Sequence, residues 1–595
     1  MRHNRAKEWS SVGVPTVLIA NRGEIACRII RACRALGLTS VAVYGPGEQD
    51  ALHVGMADRA FRIEAVTAAL PYLDIPVLIA AARRAGATLL HPGYGFLSEN
   101  PALPEACAEA DITFVGPSAD VIRAMGDKVA ARRIAADTGV PIVPGTADAI
   151  SDPADARAWA DAHGYPIAVK AAGGGGGRGF RVVERPEDLT AALEGAAREG
   201  ARSFGNAAVY LEQYFPTPRH IEVQVLADAH GHVVHLGERD CSVQRRHQKL
   251  IEESPAPGLG PEARARLTEA AVSLARAVGY VSAGTVEFIE QGGEVYFLEM
   301  NTRVQVEHPV TEMVSGVDIV QWQLRIAQGE ALTLAREDLI PRGHAIECRI
   351  VAEDPARRFQ PLPGLLTRYT EPVGDGIRVD GGYRAGDAIP TQYDSLVAKL
   401  IAHGVDRAEA IARMETALAA YDIAGVPTTT PFHQAALAHP VFRAGEATTR
   451  FIETTDVLAS LTPQPDPVPA PPVDPGRVVT LEVAGERRRV RVFGLDAALA
   501  NAPQQTKRPP PRLDRTRNGA GGSNGTIASP IQGVLVRVPV APGQAVTAGT
   551  IIAVVEAMKM ENEVQADRDG VVERIHVEPG AAVQVGAPLV TFAEQ

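Results

Sequence analysis

Seven of the thirteen residues at positions 463–475 are proline, and Pro509-Pro510-Pro511 leads into a glycine-rich stretch at 519–525. Proline fixes φ and has no amide hydrogen for a ladder, while glycine loosens the backbone, so neither stretch can continue a packed sheet or helix. The chain must therefore fold as separate bodies, a large one ahead of residue 458 and a small one beyond residue 526. Between the two breaks, residues 478–483 and 488–493 alternate apolar and polar around Ala484-Gly485. That pattern predicts a short β-hairpin, a candidate docking module inside the 458–526 linker.

The 595 residues are 46% hydrophobic and 22% charged, ordinary for packed globular domains. Lys and Arg number 59 against 71 Asp and Glu, a net charge of −12. Neutralising phosphates needs clustered cations, so this balance argues against a general nucleic-acid binder. The cysteines Cys27, Cys33, Cys107, Cys241 and Cys348 show no CxxC spacing and read as reduced, structural thiols of a cytoplasmic protein. No apolar run approaches the ~20 residues of a membrane span, and no membrane partner is expected. Residues 1–13 are polar, lack the apolar core of a secretory signal and read as a disordered tail.

Upstream, Val17-Leu18-Ile19-Ala20 is a strand, Asn21-Arg22-Gly23 a turn, and 24–36 a helix with Ile25, Ile29 and Ala32 on one face. Strands at 39–44, 89–90 and 112–115 alternate with Ala-rich helices. This βαβ order predicts a doubly wound parallel domain over 14–130. A second domain spans 131–344, with a small α+β insert at about 142–214 and a strand-rich part from His220 onward. A mixed α+β domain follows at 345–457. Residues 527–595 read as an all-β unit of short strands and Gly or Pro turns.

Two stretches carry upstream chemistry. The strand 167–170 ends in Lys170 and runs into Ala171-Ala172 and Gly173-Gly174-Gly175-Gly176-Gly177-Arg178-Gly179. Glycine lets backbone N–H groups approach phosphate closely. No Gly-Lys-Ser/Thr follows, so this is not a Walker A loop. It reads either as a lid over ATP, with Lys170 and Lys128 neutralising phosphate, or as a flexible surface loop. Residues 285–289 and 294–299 flank Gln291-Gly292-Gly293 as a hairpin that sets Glu287 opposite Glu299, Cβ atoms roughly 5 Å apart. Opposed like charges are destabilising unless a cation sits between them, and such pairs hold Mg²⁺ against phosphates. Glu299, Asn301, Arg303, Gln305 and Glu307 occupy alternate positions, so an extended segment would turn all five to one face. That row is either a metal site beside an anion site and a candidate base, or a solvated strand face. His220-Ile221-Glu222-Val223-Gln224-Val225 alternates in the same way, and 238–249 is rich in cations. The bland reading of the latter is a nucleic-acid patch, which the acidic net charge disfavours.

Near the other end, Glu556-Ala557-Met558-Lys559-Met560-Glu561 lies between two β-rich runs, with Lys559 placed 36 residues from the C-terminus. With Ile19-Ala20-Asn21-Arg22-Gly23-Glu24-Ile25-Ala26, His91-Pro92-Gly93-Tyr94-Gly95-Phe96, the glycine run, 238–249, 299–312 and Tyr393-Asp394-Ser395, residues 17–457 resemble the biotin carboxylase component of biotin-dependent carboxylases. Residues 527–594 resemble a biotinyl carrier domain through Ala528-Ser529-Pro530 and the EAMKM sequence. A lipoyl domain shares that fold but usually has Asp-Lys-Ala at its tip. The order of parts is similar to α subunits of acyl-CoA carboxylases of the short actinobacterial type.

The resemblance implies an ATP-grasp fold followed by a flattened β-barrel. It implies that Lys128, Lys170, Gly174, Gly175, Gly176, Glu212, His220, Gln244 and His247 bind ATP, with Glu212 near the adenine end. Glu287 and Glu299, beside Asn301, would hold Mg²⁺ or Mn²⁺. Lys249, Arg303, Gln305 and Val306 would bind bicarbonate, Glu307 would be its base, and Arg349 would stabilise the biotin enolate. Carboxyphosphate would form and yield CO₂, and Lys559 would carry biotin placed there by a biotin protein ligase. A carboxyltransferase β subunit on another chain would carboxylate an acetyl-, propionyl- or longer acyl-CoA; a pyruvate or urea carboxylase would share the first half-reaction. The region around Tyr393-Asp394-Ser395 implies a homodimer within a larger assembly. Gly45-Pro46-Gly47-Glu48 and Thr428-Thr429-Thr430 depart from the family pattern, and neither is expected to touch the chemistry.

Overall fold

A computed structural model describes residues 14–593 except 69, 147, 151, 173–178, 335–338, 471–476, 484–485, 493–525, 531–532, 558–559 and 584–585. The expectations placed on the tail at 1–13, on Gly174, Gly175 and Gly176, and on Lys559 lie outside the described residues.

The N-terminal strands form a parallel sheet in the order Arg59–Arg62, Thr39–Tyr44, Thr16–Ile19, Leu89–His91, Thr113–Phe114. Val17, Leu18 and Ile19 are all buried, as expected of a parallel strand covered on both faces. Gly23, at φ +64°, makes the turn into the helix Gly23–Ala35. That helix buries Ile25, Ile29 and Ala32, the face its spacing predicts.

The insert is a three-stranded sheet, Phe180–Val183, Ile167–Ala171 and Val209–Gln213, backed by the helices Pro153–His163 and Leu189–Phe204. It has its own apolar core of Val169, Leu211, Ala160 and Leu193. The largest sheet is antiparallel and has eight strands. In order these are Glu294–Asn301, Ser282–Gln291, Arg219–Ala227, Val233–Arg245, Gln248–Ser254, His344–Val351, Leu396–Gly404 and Ile377–Gly381. The ladder Ile251↔Cys348 and Glu252↔Glu347 thus joins residues on both sides of position 344 in one sheet.

The hairpin carrying Glu287 and Glu299 is as expected in its key pair and different in detail. Gln291 pairs with Glu294 around Gly292-Gly293, and Phe288 with Phe297. That register alone would set Glu287 against Leu298. A bulge at Leu298 inserts one extra residue, and Glu287 pairs with Glu299 after all.

Beyond residue 526, two four-stranded sheets enclose Leu535, Ile552, Val555, Val572, Leu589 and Phe592. Ala557 pairs with Met560, so the strands Ile551–Ala557 and Met560–Gln565 close a hairpin at the EAMKM sequence. In the linker, Arg477–Val483 and Glu486–Val492 form the expected hairpin, with Val483 opposite Glu486. The start of the proline run is not free. Leu365 N–H donates to Val468 O at 2.8 Å and Val468 N–H to Gly425 O at 2.7 Å. All five cysteines are buried and unpaired. No helix among the described residues is long and apolar enough to cross a membrane.

Candidate active site

The strand Arg219–Ala227 lies between the hairpin Ser282–Asn301 and the strand Val233–Arg245, so His220 and Glu222 project beside Glu287. Lys249, next to the turn that starts Gln248–Ser254, reaches the same point. Its Nζ lies 2.5 Å from Glu222, 2.6 Å from Glu307 and 3.0 Å from Glu287. Asn301 Nδ2 and Gln305 Nε2 donate to Glu287 Oε1 at 2.8 and 2.7 Å. Glu299 turns to a different cation, Lys128 Nζ at 2.9 Å.

The alternating row converges, but not by remaining a strand. Regular extension ends at Asn301, and the helix His308–Ser315 begins directly after Glu307. Within the intervening bend Arg303 donates to Asn301 Oδ1 and to Glu99 Oε2, both at 2.9 Å. Gln305 is aimed by Arg239, whose guanidinium is wholly buried and donates to Glu222, Gln224, Thr311, Thr285 and Gln305 at 2.5 to 3.1 Å. Val306 O accepts from Lys399 Nζ at 2.9 Å, which fixes that peptide.

Burial disfavours charge here, and pairing overrides it. Glu222 and Glu287, 0% and 4% exposed, lose solvation but are held well below the usual carboxylate range, by Lys249 above all. Burial likewise works against the Lys249 ammonium, yet three carboxylates raise its pKa well above the ordinary lysine value. The His220 imidazolium is penalised by burial and lifted to about 9 by Glu287 and Glu222. Ligand atoms of His220, Glu222 and Glu287 lie within 4.8 Å of one another. This focus is shared with the Lys249 ammonium, and Glu287, which also pairs with Glu299 across the hairpin, brings carboxylate oxygens of the kind a hard divalent cation takes.

Arg349 approaches from the strand His344–Val351. Its Nε donates to Glu252 Oε1 at 2.6 Å and its Nη2 to Glu307 Oε2 at 2.9 Å. Glu252 also faces Glu347 across the ladder; burial pushes Glu252 up to about 7 and Glu347 well above the usual carboxylate range, so this pair does not carry two full charges. Of the residues expected at the nucleotide, Lys170 and Arg132 both pair with buried Glu212, and Lys170 lies 5.8 Å from the Phe180 ring centroid. Gln244 is buried, with Nε2 3.4 Å from Cys241 O. His247 stands exposed at φ +66°, edge-on to Phe180.

Sequence reasoning missed Glu222, Arg239 and Glu252. Glu222 could have been found, because it shares the alternating face of His220. Arg239 lies in the cation-rich stretch 238–249 but its role was not readable there, and Glu252 gave no local signal, since the partners of both lie on other strands. One expectation is corrected. Thr429 does touch the chemistry-bearing region, because its Oγ1 donates to Arg349 O at 2.7 Å. A loop residue's partner 80 positions upstream is not readable from the loop.

A doubly wound domain, an antiparallel core with opposed carboxylates beside a small α+β insert, and a barrel with a hairpin at the EAMKM sequence together define an ATP-grasp carboxylase joined to a biotinyl carrier. The chain matches four family profiles: Biotin carboxylase, N-terminal domain at 14–122; Carbamoyl-phosphate synthase L chain, ATP binding domain at 127–335; Biotin carboxylase C-terminal domain at 347–454; and Biotin-requiring enzyme at 525–592. It is 44% identical to the biotin-dependent acyl-coenzyme A carboxylase alpha3 subunit of Mycobacterium leprae over 98% of this chain and 99% of that one. It is 51% identical to biotin carboxylase 1 of Bacillus subtilis over 75% of this chain and all of the other. A pyruvate carboxylase subunit from Methanothermobacter thermautotrophicus is 50% identical over 73% of this chain and 89% of its own. A solved biotin carboxylase from Campylobacter jejuni superposes with a TM-score of 0.72 at 44% identity, covering 74% of this chain and 99% of that one. The chain belongs to the biotin carboxylase family of biotin-dependent carboxylases. It is an ATP-dependent ligase whose cofactors are biotin, ATP and Mg²⁺.

Proposed function

We propose that this chain is the α subunit of an acyl-CoA carboxylase, carboxylating biotin on Lys559 and passing it to a carboxyltransferase β subunit. The observation that carries this is the match to the Mycobacterium leprae alpha3 subunit, which runs through carboxylase, linker and carrier alike. The pyruvate carboxylase relative, by contrast, aligns with 73% of the chain. A second copy of the chain and a biotin protein ligase complete the proposed partners.

Glu287 and Glu299, with Asn301, would hold Mg²⁺, which when bound neutralises charge on phosphoryl oxygens. Lys128, Lys170, Glu212, His220, Gln244 and His247 would line the nucleotide side, with Gly174, Gly175 and Gly176 in the lid. Bicarbonate would lie between Lys249 and Arg303, within reach of the Gln305 amide and the Val306 peptide. Glu307, which accepts from Lys249 and Arg349 at 2.6 and 2.9 Å, is the base beside that anion. Once Glu307 takes the proton, its charge is lost and its hold on Arg349 weakens. The guanidinium is then free to face negative charge developing on the ureido oxygen of biotin.

Glu307→Gln is therefore expected to abolish carboxylation while leaving ATP binding intact, and full bicarbonate-dependent activity in that variant would refute the base assignment. The acyl-CoA assignment is tested by mixing the biotinylated chain with MgATP, labelled bicarbonate and either acyl-CoA carboxyltransferase β subunits with acetyl-CoA or propionyl-CoA, or a pyruvate carboxyltransferase with pyruvate. Label in an acyl-CoA product is expected. Label only in oxaloacetate, obtained with a pyruvate carboxyltransferase, would overturn it.

A further inference from the structure

The side chain of Arg349 is held by Glu252 and Glu307, but its backbone is held from the opposite side. Thr429 Oγ1 donates to Arg349 O at 2.7 Å and accepts from Val351 N–H at 3.0 Å, while Thr429 N–H donates to Val351 O at 3.1 Å. His433 Nε2 lies 2.7 Å from the same Arg349 carbonyl. Burial pulls the His433 pKa down to about 4, so the ring is neutral and donates through Nε2. Both side chains are 0% exposed.

The loop that presents Thr429 is held in turn by the first residues of the proline run. The Gln464 side-chain amide pairs with the Thr428 peptide in both directions, donating to its carbonyl at 2.7 Å and accepting from its N–H at 3.0 Å. Gln464 N–H donates to Asp354 Oδ2 at 3.0 Å, and Arg357 grips Asp466 at 2.6 Å. Val468 is bonded between Leu365 and Gly425 at 2.8 and 2.7 Å. Gly364 makes room for it, since a Cβ there would lie 2.6 Å from Val468 O. A segment serving only as a spacer needs none of these contacts.

We propose that residues 464–468 form a fixed strap that belongs to the biotin-carboxylating site, with Thr429 and Gln464 as positioning residues that set the backbone from which Arg349 reaches biotin. The inference rests on the reading of Arg349 given above. It also places the start of the linker after Val468 rather than at residue 458.

The test uses the full chain carrying Lys559→Arg, so that free biotin is the acceptor and carrier delivery plays no part. Thr429→Val, Thr429→Ser, Gln464→Ala and Arg349→Ala are compared for free-biotin carboxylation and for bicarbonate-dependent ATP hydrolysis without biotin. Loss of the buried Thr429 hydroxyl, or of the half-buried Gln464 amide, each with two hydrogen bonds to the backbone, predicts a fall in kcat/KM for biotin on the order of tenfold in Thr429→Val and Gln464→Ala. Thr429→Ser is expected to restore it, and the biotin-free hydrolysis to persist. Unchanged biotin carboxylation in Thr429→Val and Gln464→Ala, with Arg349→Ala inactive, would overturn the strap. So would an equal loss of both activities that Thr429→Ser does not restore, which marks a folding defect. Full biotin carboxylation in Arg349→Ala would remove the reading of Arg349, and the inference with it.

Discussion

Lys249 is one ammonium among three buried carboxylates, so its removal acts on charge before it acts on shape. Lys249→Met leaves Glu222, Glu287 and Glu307 facing one another without their shared cation. Breaking buried pairs in this way costs about 3 kcal/mol or more. Denaturant unfolding is expected to show that loss at neutral pH and a recovery toward pH 5, where carboxylates take up protons. A pH-independent loss would mean that Lys249 contributes packing rather than charge. At this scale the sequence was most informative where chemistry is local. Glu287, Glu299, Gln305 and Glu307 announced themselves by spacing. Arg239 and Glu252 did not, because a guanidinium's five donors and a cross-strand carboxylate have meaning only once distant strands are paired.

The eight-stranded sheet positions those residues, and its hairpin shows how a right pairing can be read from a wrong count. Counting from residue 293 sets Glu287 against Glu299, whereas the turn is centred between Gly292 and Gly293, and the bulge at Leu298 restores the match. Phe297 sits beside that bulge, 1% exposed, in the core shared with Phe288 and Met300. Phe297→Ala should lower carboxylase stability by about 3–5 kcal/mol through cavity formation. Scanning calorimetry should show the carboxylase transition moving down. The carrier transition should stay in place, because its core of Leu535, Val555 and Phe592 is a separate cluster. Movement of both transitions would show that the two bodies unfold together. The parallel N-terminal sheet was legible from its βαβ alternation and the C-terminal unit as all-β from its short strands and turns, while the ladder between 248–254 and 344–351 was not, since nothing local specifies which strands meet across ninety residues.

For the molecule as a whole, six histidines are buried among the described residues, and His53, His91 and His433 are three in which burial is the leading influence on a lowered pKa of the ring. Burial pulls His53 and His433 down to about 4 and His91 to about 3. In each the folded pKa lies below the unfolded value of 6.5, so their support for the fold is complete above pH 6.5 and is lost as pH falls toward 4. His53→Gln is expected to flatten part of that acid limb, by up to about 3 kcal/mol at pH 4. An unchanged pH dependence of unfolding would contradict the buried neutral state of His53. The other whole-molecule feature is the division into a large upstream body and a small downstream one, which the proline and glycine breaks made legible; which body catalyses and which carries was implied only by the motifs and the family resemblance.

In the function proposed above, carboxylation by the upstream site of biotin held on Lys559 of the same chain joins the two bodies into one enzyme. The most direct measurement of it is incorporation of labelled bicarbonate into the purified, biotinylated chain with MgATP, compared with Lys559→Arg and Glu307→Gln. Chain-bound label that requires ATP and is absent from both variants is expected. Label that persists in Lys559→Arg, or a biotinylated chain that takes up none, would contradict it.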